Sequence, residues 1–169
     1  MIEISKPEAT VRRAIPADAS AIVRMVAALA RQVGFTGTTM VTEQQLLAAM
    51  TGERPVCTVL VAEADGAVAG VSVHSVIFST WRGMLGVYVV DLYVDEAWRR
   101  AGLGVALLRA AANAGAAEGC GYMMLDVDID NTGAQGFYER LGFREIPRDR
   151  RHVLDAAGFA ALMAGSMRV

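Results

Sequence analysis

The chain has 169 residues, 54 % of them hydrophobic and 20 % charged, with a formal net charge of −2. That length fits one domain with a sizeable core, and so apolar a composition excludes a disordered chain. The slight acidic excess gives no general attraction to DNA or RNA, whose phosphates require basic surface; the local patch Arg148, Arg150 and Arg151 reads as a solvated turn.

Val11 to Ala14 is a short strand. Pro16 and Asp18 then open a helix, because proline suits the first turn and an acid suits the positive end of the helix dipole. Ile22, Val26, Leu29 and Val33 recur at helical spacing and share one face, and Gly34 and Gly37 break the pattern. Thr42 and Gln45 form a capping box for a second helix through Met50, stopped by Gly52. Val56–Glu63 and Val68–Phe78 are strands joined by an Asp65-Gly66 hairpin. Trp81–Gly86 is a glycine-containing loop and Val87–Val94 the next strand. Leu103–Glu118 is a helix whose alanines allow close packing on a sheet, ended by Gly119 and Gly121. Tyr122–Ile129 is a strand, Thr132–Leu141 a short helix ended by Gly142, Phe143–Ile146 and His152–Leu154 final strands, and Ala156–Ala164 a terminal helix. There is no internal repeat and no linker. The alternation implies a mixed α/β sheet with helices on its faces.

Cys57 and Cys120 stand apart from each other and from His74 and His152, so no zinc site and no disulfide framework is expected, and a cytoplasmic location is. The longest uncharged stretch, Gly66 to Trp81, is short for a membrane span. The N-terminus carries acids and lacks the apolar segment of a signal peptide.

The stretch from Val87 to Leu108 organises the rest: strand, polar turn, Gly102-Leu103-Gly104, helix. A helix start attracts anions, because its first N–H groups lack partners and the dipole is positive there. Arg99 and Arg100 add two cations, so the stretch reads as a pyrophosphate cradle. It is not a dinucleotide fingerprint, since Leu107 stands where the third glycine belongs, and it is not a Walker loop, since no Gly-Lys-Ser/Thr follows. A helix start with glycines for close packing is the structural alternative.

Arg99-x-x-Gly102-x-Gly104 closely resembles the Arg/Gln-x-x-Gly-x-Gly/Ala signature of the GCN5-related N-acetyltransferases (GNAT). Asn131 followed by Phe137-Tyr138-Glu139-Arg140-Leu141-Gly142-Phe143 resembles that family's second signature. The resemblance runs from Val11 to about Met163 and implies a single GNAT-like domain over residues 1–169. It implies a mixed, mostly antiparallel sheet of six to seven strands that splays open between two central strands, with helices on both faces. It further implies acetyl-CoA as co-substrate, no metal, and direct attack by an amine in a ternary complex. By the same resemblance, Leu92, Tyr93 and Val94 would bond the pantetheine arm through their backbone. Arg99, Arg100, Ala101, Gly102, Leu103 and Gly104 would hold the pyrophosphate. Asn131 would contact the cofactor arm or cap the helix that follows. Tyr138 would be the general acid at the CoA sulfur; the alternative is a core tyrosine with a satisfied hydroxyl.

Trp81-Arg82-Gly83 and Asp91-Leu92-Tyr93-Val94 resemble the diamine (spermidine/spermine) N-acetyltransferase branch, whose Glu, its proposed base, is replaced here by Val90. Asp91 is the remaining candidate base, direct or through water, or else structural; alternation points it away from Val90. Asp126, Asp128 and Asp130 alternate on the expected strand and would share a face. They would either line an acceptor cleft for a cationic amine or form a solvated strand end. Trp81, Tyr88 and Tyr93 would either shape an acceptor pocket or pack in the core, as strand aromatics commonly do. The expected partners are acetyl-CoA and a small amine, with no nucleic acid and no membrane, in a homodimer. The alternatives are an acetyltransferase acting on protein amines and a non-catalytic acyl-CoA sensor.

Overall fold

The computed structural model describes residues 9–35, 40–147 and 152–166; the basic patch at Arg148, Arg150 and Arg151 and the helix-breaking Gly37 lie outside them. Among the described residues the elements run β1 (Thr10–Arg13), α1 (Ala19–Gln32), α2 (Glu43–Thr51), β2 (Thr58–Ala64), β3 (Ala67–Ser79), β4 (Met84–Val94), α3 (Leu103–Ala117), β5 (Cys120–Leu125), α4 (Thr132–Arg140) and α5 (Ala156–Met163). Single 3-10 turns at Pro16–Asp18 and Glu96–Trp98 lead into α1 and follow β4. The chain forms two compact units, Met1–Asn131 and Thr132–Val169.

The first unit holds one five-stranded sheet in the order β1-β2-β3-β4-β5. The first three pairings are antiparallel and β4–β5 is parallel. Period-2 alternation sends β2 and β3 side chains to two separate cores. Val59, Val61, Val71, Val73 and Tyr93 pack with Ile22 and Met25 of α1 and Leu46 of α2. Leu60, Ala62, Ala64 and Ala69 pack with Leu103, Leu107 and Ala111 of α3, flanked by Leu92 and Val94. Helices therefore cover both faces. The approach of α3 is close: a Cβ at Gly115 would stand 2.1 Å from Val87 Cγ2, so only glycine fits.

Asp18 does more than favour the dipole. It is buried, takes two hydrogen bonds from the Arg12 guanidinium at 2.7 and 3.0 Å, and accepts from the Ile15 N–H at 2.8 Å. Arg12 also reaches Glu63 at 2.9 Å, which ties β1 to β2 and to the entry of α1. The Arg12 pair holds the Asp18 carboxyl below its ordinary range, against the opposing pull of burial.

Two expected strands are absent. Residues 143–146 and 152–154 are described but form no strand, so the sheet has five strands among the described residues instead of six or seven. In the second unit, the Phe143 N–H turns back to the Tyr138 carbonyl to close the end of α4 and finds no ladder. That unit consists of α4, its turn at Gly142, and α5, capped by Asp155 Oδ1 on the Gly158 N–H at 2.8 Å.

Candidate active site

β4 is paired unequally along its two edges. Its register with β3 runs from Ser79↔Met84 to Gly70↔Val94, whereas its register with β5 ends at Val89↔Leu125. From Val90 to Val94 the β5-side edge carries no strand among the described residues, which is the splay expected from the sequence. A bulge marks the point of departure. Val73 opposes Asp91 and His74 opposes Val89, so Val90 is the extra residue, half exposed at 52 %. Bulges twist a strand and re-aim side chains, and they cluster next to functional sites. The strict alternation assumed between Val90 and Asp91 does not hold across such a bulge. Beyond it, Leu92 and Val94 turn to the α3 core and Tyr93 to the α1 core.

Asp91 is half-buried and has no ion pair or hydrogen bond to its carboxylate among the described residues. Burial alone raises its pKa above the ordinary carboxylate range. A carboxylate kept desolvated and unpartnered is a stronger base than a solvated one, and such groups concentrate at functional sites.

The loop after β4 supplies the second part. The turn begins with Asp95, whose Oδ1 accepts from the Ala97 N–H at 3.0 Å. Arg100 has φ +66°, an uncommon conformation for a residue with a Cβ, and Gly102 follows at φ +86°. Gly102 is the N-cap of α3 and gives it no side-chain hydrogen bond, so among the described residues the first N–H groups of the helix, from Leu103 and Gly104 on, lack a side-chain acceptor. A Cβ built on Gly102 would meet nothing within 4 Å. The glycine therefore serves the left-handed backbone and an open approach to the helix start, not packing by the protein itself. These features fit a diphosphate: donors, positive dipole and room.

The two arginines of the expected cradle separate. Arg100 and Ala101 are exposed beside Gly102. Arg99 instead folds back: its Nε donates to the Val94 carbonyl at 3.1 Å, its guanidinium donates to Gln32 Oε1 at 2.7 Å, and it lies 5.7 Å from the Tyr93 ring centroid. It braces the end of β4 to the end of α1.

The acidic run after β5 is not a strand. β5 ends at Leu125, so Asp126, Asp128 and Asp130 do not share a sheet face. With β4 diverging after its bulge, the chain beyond Leu125 has no ladder to join, and its Asp and Asn residues make turn hydrogen bonds instead. Asp128 Oδ1 accepts from the Asp130 N–H at 2.8 Å, and the Asn131 N–H donates to the Asp128 carbonyl at 3.0 Å. Asp126 accepts from the Tyr88 hydroxyl, which brings Tyr88 of β4 against the residue that follows β5, where the two strands part. Asn131 stands immediately before α4.

Trp81, Tyr88 and Tyr93 do not line one pocket. Trp81 is 97 % exposed at the tip of the β3–β4 hairpin, which is tighter than expected because β4 already begins at Met84. Tyr93 belongs to the α1 core at the far end of the strand. Arg82, beside Trp81, stacks at 4.9 Å over the Tyr122 ring.

Tyr138, in the second unit, meets Phe137 and Phe143 edge to face at centroid distances of 5.1 and 5.4 Å. Its hydroxyl has no hydrogen-bond partner among the described residues. Burial pushes its pKa up to about 12, so it stays a proton donor throughout the neutral range.

The sequence profile of the Acetyltransferase (GNAT) family matches residues 34–143. The chain belongs to this family. It is 31 % identical over 144 residues to a Sus scrofa thialysine N-epsilon-acetyltransferase, covering 80 % of this chain and 84 % of that protein. Two solved structures share its fold. An integron cassette protein of V. cholerae has a TM-score of 0.74 at 20 % identity, covering 92 % of this chain and 97 % of the other. An aminoglycoside acetyltransferase from an uncultured soil metagenomic sample has a TM-score of 0.70 at 17 % identity, covering 87 % and 97 %. The protein is an N-acetyltransferase of a family that uses acetyl-CoA as co-substrate. No helix among the described residues is long and apolar enough to cross a membrane.

Proposed function

We propose that this GNAT enzyme transfers the acetyl group of acetyl-CoA to the amine of a small, amino-acid-like acceptor by direct attack in a ternary complex. The observation that carries the reading is Asp91. It is a desolvated, unpartnered carboxylate at the bulge where β4 leaves β5, on the strand that runs into the open start of α3. The activity named for the Sus scrofa relative supports the acceptor class.

In this reading the helix start at Leu103 and Gly104 holds the pyrophosphate and the free edge of Leu92–Val94 holds the pantetheine arm. The acceptor nitrogen forms the C–N bond as the thioester C–S bond breaks. Asp91 takes the proton the amine loses, directly or through one water, and Tyr138 gives a proton to the departing thiolate. Asp126, fixed by Tyr88, adds negative charge for a cationic acceptor. No side chain is acylated.

The test is an acetyl-CoA titration followed by a thiol-release assay with thialysine, lysine, spermidine and neutral amino acids. Turnover of thialysine or another small amino-acid-like amine supports the proposal. Tight CoA binding with release only on a protein or peptide acceptor overturns it.

A further inference from the structure

An open-sided cavity of about 210 Å³ lies on the α1 side of the first unit, against Tyr93 and Asp95 at the end of β4. It is smaller than the roughly 300–1,000 Å³ that drug-sized ligands occupy, so it suits a small metabolite. Met25 and Ala28 of α1, Val68 of β3 and the Tyr93 ring give it apolar walls. Two opposite charges also line it: Arg24 from α1 and Asp95 from the turn after β4.

These charges are not paired with each other or with any other charged group among the described residues. Arg24 donates one hydrogen bond, from one terminal nitrogen to Ser20 Oγ at 2.7 Å, and keeps its other donors. Asp95 uses Oδ1 on the Ala97 N–H and keeps Oδ2. The neighbouring cation, Arg99, is already engaged by Val94, Gln32 and Glu96.

We propose that this cavity is a second binding site, separate from the acetyl-transfer site, that takes a small zwitterionic α-amino acid. Its carboxylate meets the free face of Arg24 and its ammonium meets Asp95 Oδ2. A single-charge ligand satisfies only one of the two groups. An amine alone meets the Arg24 charge, and a phosphate or carboxylate alone meets the Asp95 charge. A zwitterion satisfies both, and its side chain rests on Tyr93 and Met25. Asp95 lies four residues beyond Asp91 on extended chain, about 13 Å at the usual strand rise. An α-ammonium held at Asp95 is thus too far from Asp91 to be the acetylated amine. Tyr93, two residues from Asp91 on the same α1-facing side, also lines the cavity, so amino acids without a side-chain amine are the ligands that distinguish this site from the acceptor position.

The experiment is calorimetric titration of the full chain, saturated with CoA, against a panel of the proteinogenic L-amino acids, with ethylamine and propionate as single-charge controls. At least one small amino acid binds, both controls bind at least about tenfold more weakly, and Arg24→Gln and Asp95→Asn each weaken binding about tenfold or more. Arg24 is exposed, so its variant folds; it keeps the wild-type thermal shift with acetyl-CoA and the wild-type turnover of the acceptor. The proposal is overturned if no amino acid binds, if a control binds equally well, if Arg24→Gln binds as wild type, or if binding appears only without CoA. A chain that binds the amino acid but transfers no acetyl group upholds this site while refuting the proposed function.

Discussion

Two helices of the first unit begin in opposite ways. At α2, Thr42 Oγ1 accepts from the Gln45 N–H at 3.2 Å, and Gln45 Oε1 accepts from the Thr42 N–H at 2.9 Å, so the chain satisfies its own donors. At α3, Gly102 offers no side chain, sits at φ +86°, and follows Arg100 at φ +66°. One start is closed by the sequence and the other is held open by it. Leaving helix donors uncapped and a non-glycine residue at positive φ each costs about 1 kcal/mol. In the proposed function, the pyrophosphate of acetyl-CoA supplies the missing acceptors at the start of α3.

The contrast breaks most severely at Gly102. Gly102→Asp fills the open approach with bulk and negative charge, and Asp tolerates the left-handed conformation better than most residues. Affinity for acetyl-CoA should fall by about 100-fold or more by calorimetry, while the circular dichroism spectrum stays folded. Retained affinity would refute the cradle.

Asp91→Asn tests the other half of the site. A general base contributes about 10²–10⁴-fold, so kcat should drop by at least about 100-fold with KM for acetyl-CoA little changed. In the wild type, activity should fall as pH drops through the raised pKa of Asp91, because protonation removes the base. The stability consequence has the opposite sign. A carboxyl whose folded pKa is raised adds stability below its unfolded pKa and loses it as pH rises through the folded value. At neutral pH the ionised, desolvated Asp91 is therefore a burden, and Asp91→Asn should raise Tm at pH 7 by about 2 °C, with less gain at pH 4. An inactive variant with a lowered Tm would instead mean that Asp91 holds structure.

Tyr138→Phe should lower kcat by about tenfold or more and leave KM for acetyl-CoA nearly unchanged, since a general acid acts in the transition state. Its hydroxyl has no partner among the described residues to orphan, so unfolding free energy should move by no more than about 0.5 kcal/mol. With its pKa near 12, no alkaline loss of rate from this residue is expected below about pH 11. An unchanged kcat would remove Tyr138 from the mechanism.

Much of this was legible in the sequence because local rules and tertiary context agree. The Thr42/Gln45 box, the Asp65-Gly66 turn and the helix from Leu103 all form as read. The sequence failed where a long-range pairing decided the outcome. The alternation of Asp126, Asp128 and Asp130 imitates a strand, but a strand needs a partner, and β4 has bulged away by Val90. The same limit removed the expected strands at 143–146 and 152–154. The bulge has no sequence mark, since Val90 is an ordinary strand residue. Arg99 sits in the motif, and its hydrogen bond to Gln32, 67 positions away, is a contact the motif does not announce. The cavity between Arg24 and Asp95 joins residues with no shared motif, so nothing in the chain order announced it.

The gentlest test returns to the closed helix start. Thr42→Ala removes the side-chain acceptor for the Gln45 N–H and half of the reciprocal box. N-cap losses of this kind cost about 1 kcal/mol. Denaturant unfolding should show that loss as a lower midpoint at constant slope, because the surface exposed on unfolding is unchanged. Affinity for acetyl-CoA should stay within about twofold, since α2 packs its Leu46 into the α1 core and the proposed cradle lies at the start of α3. Paired with Gly102→Asp, this separates the two kinds of helix start: one variant loses stability and keeps the ligand, and the other loses the ligand and keeps the fold. If Thr42→Ala also weakened acetyl-CoA binding tenfold, the open and closed starts would be coupled through α1. The Arg99–Gln32 bridge would be the first connection to cut.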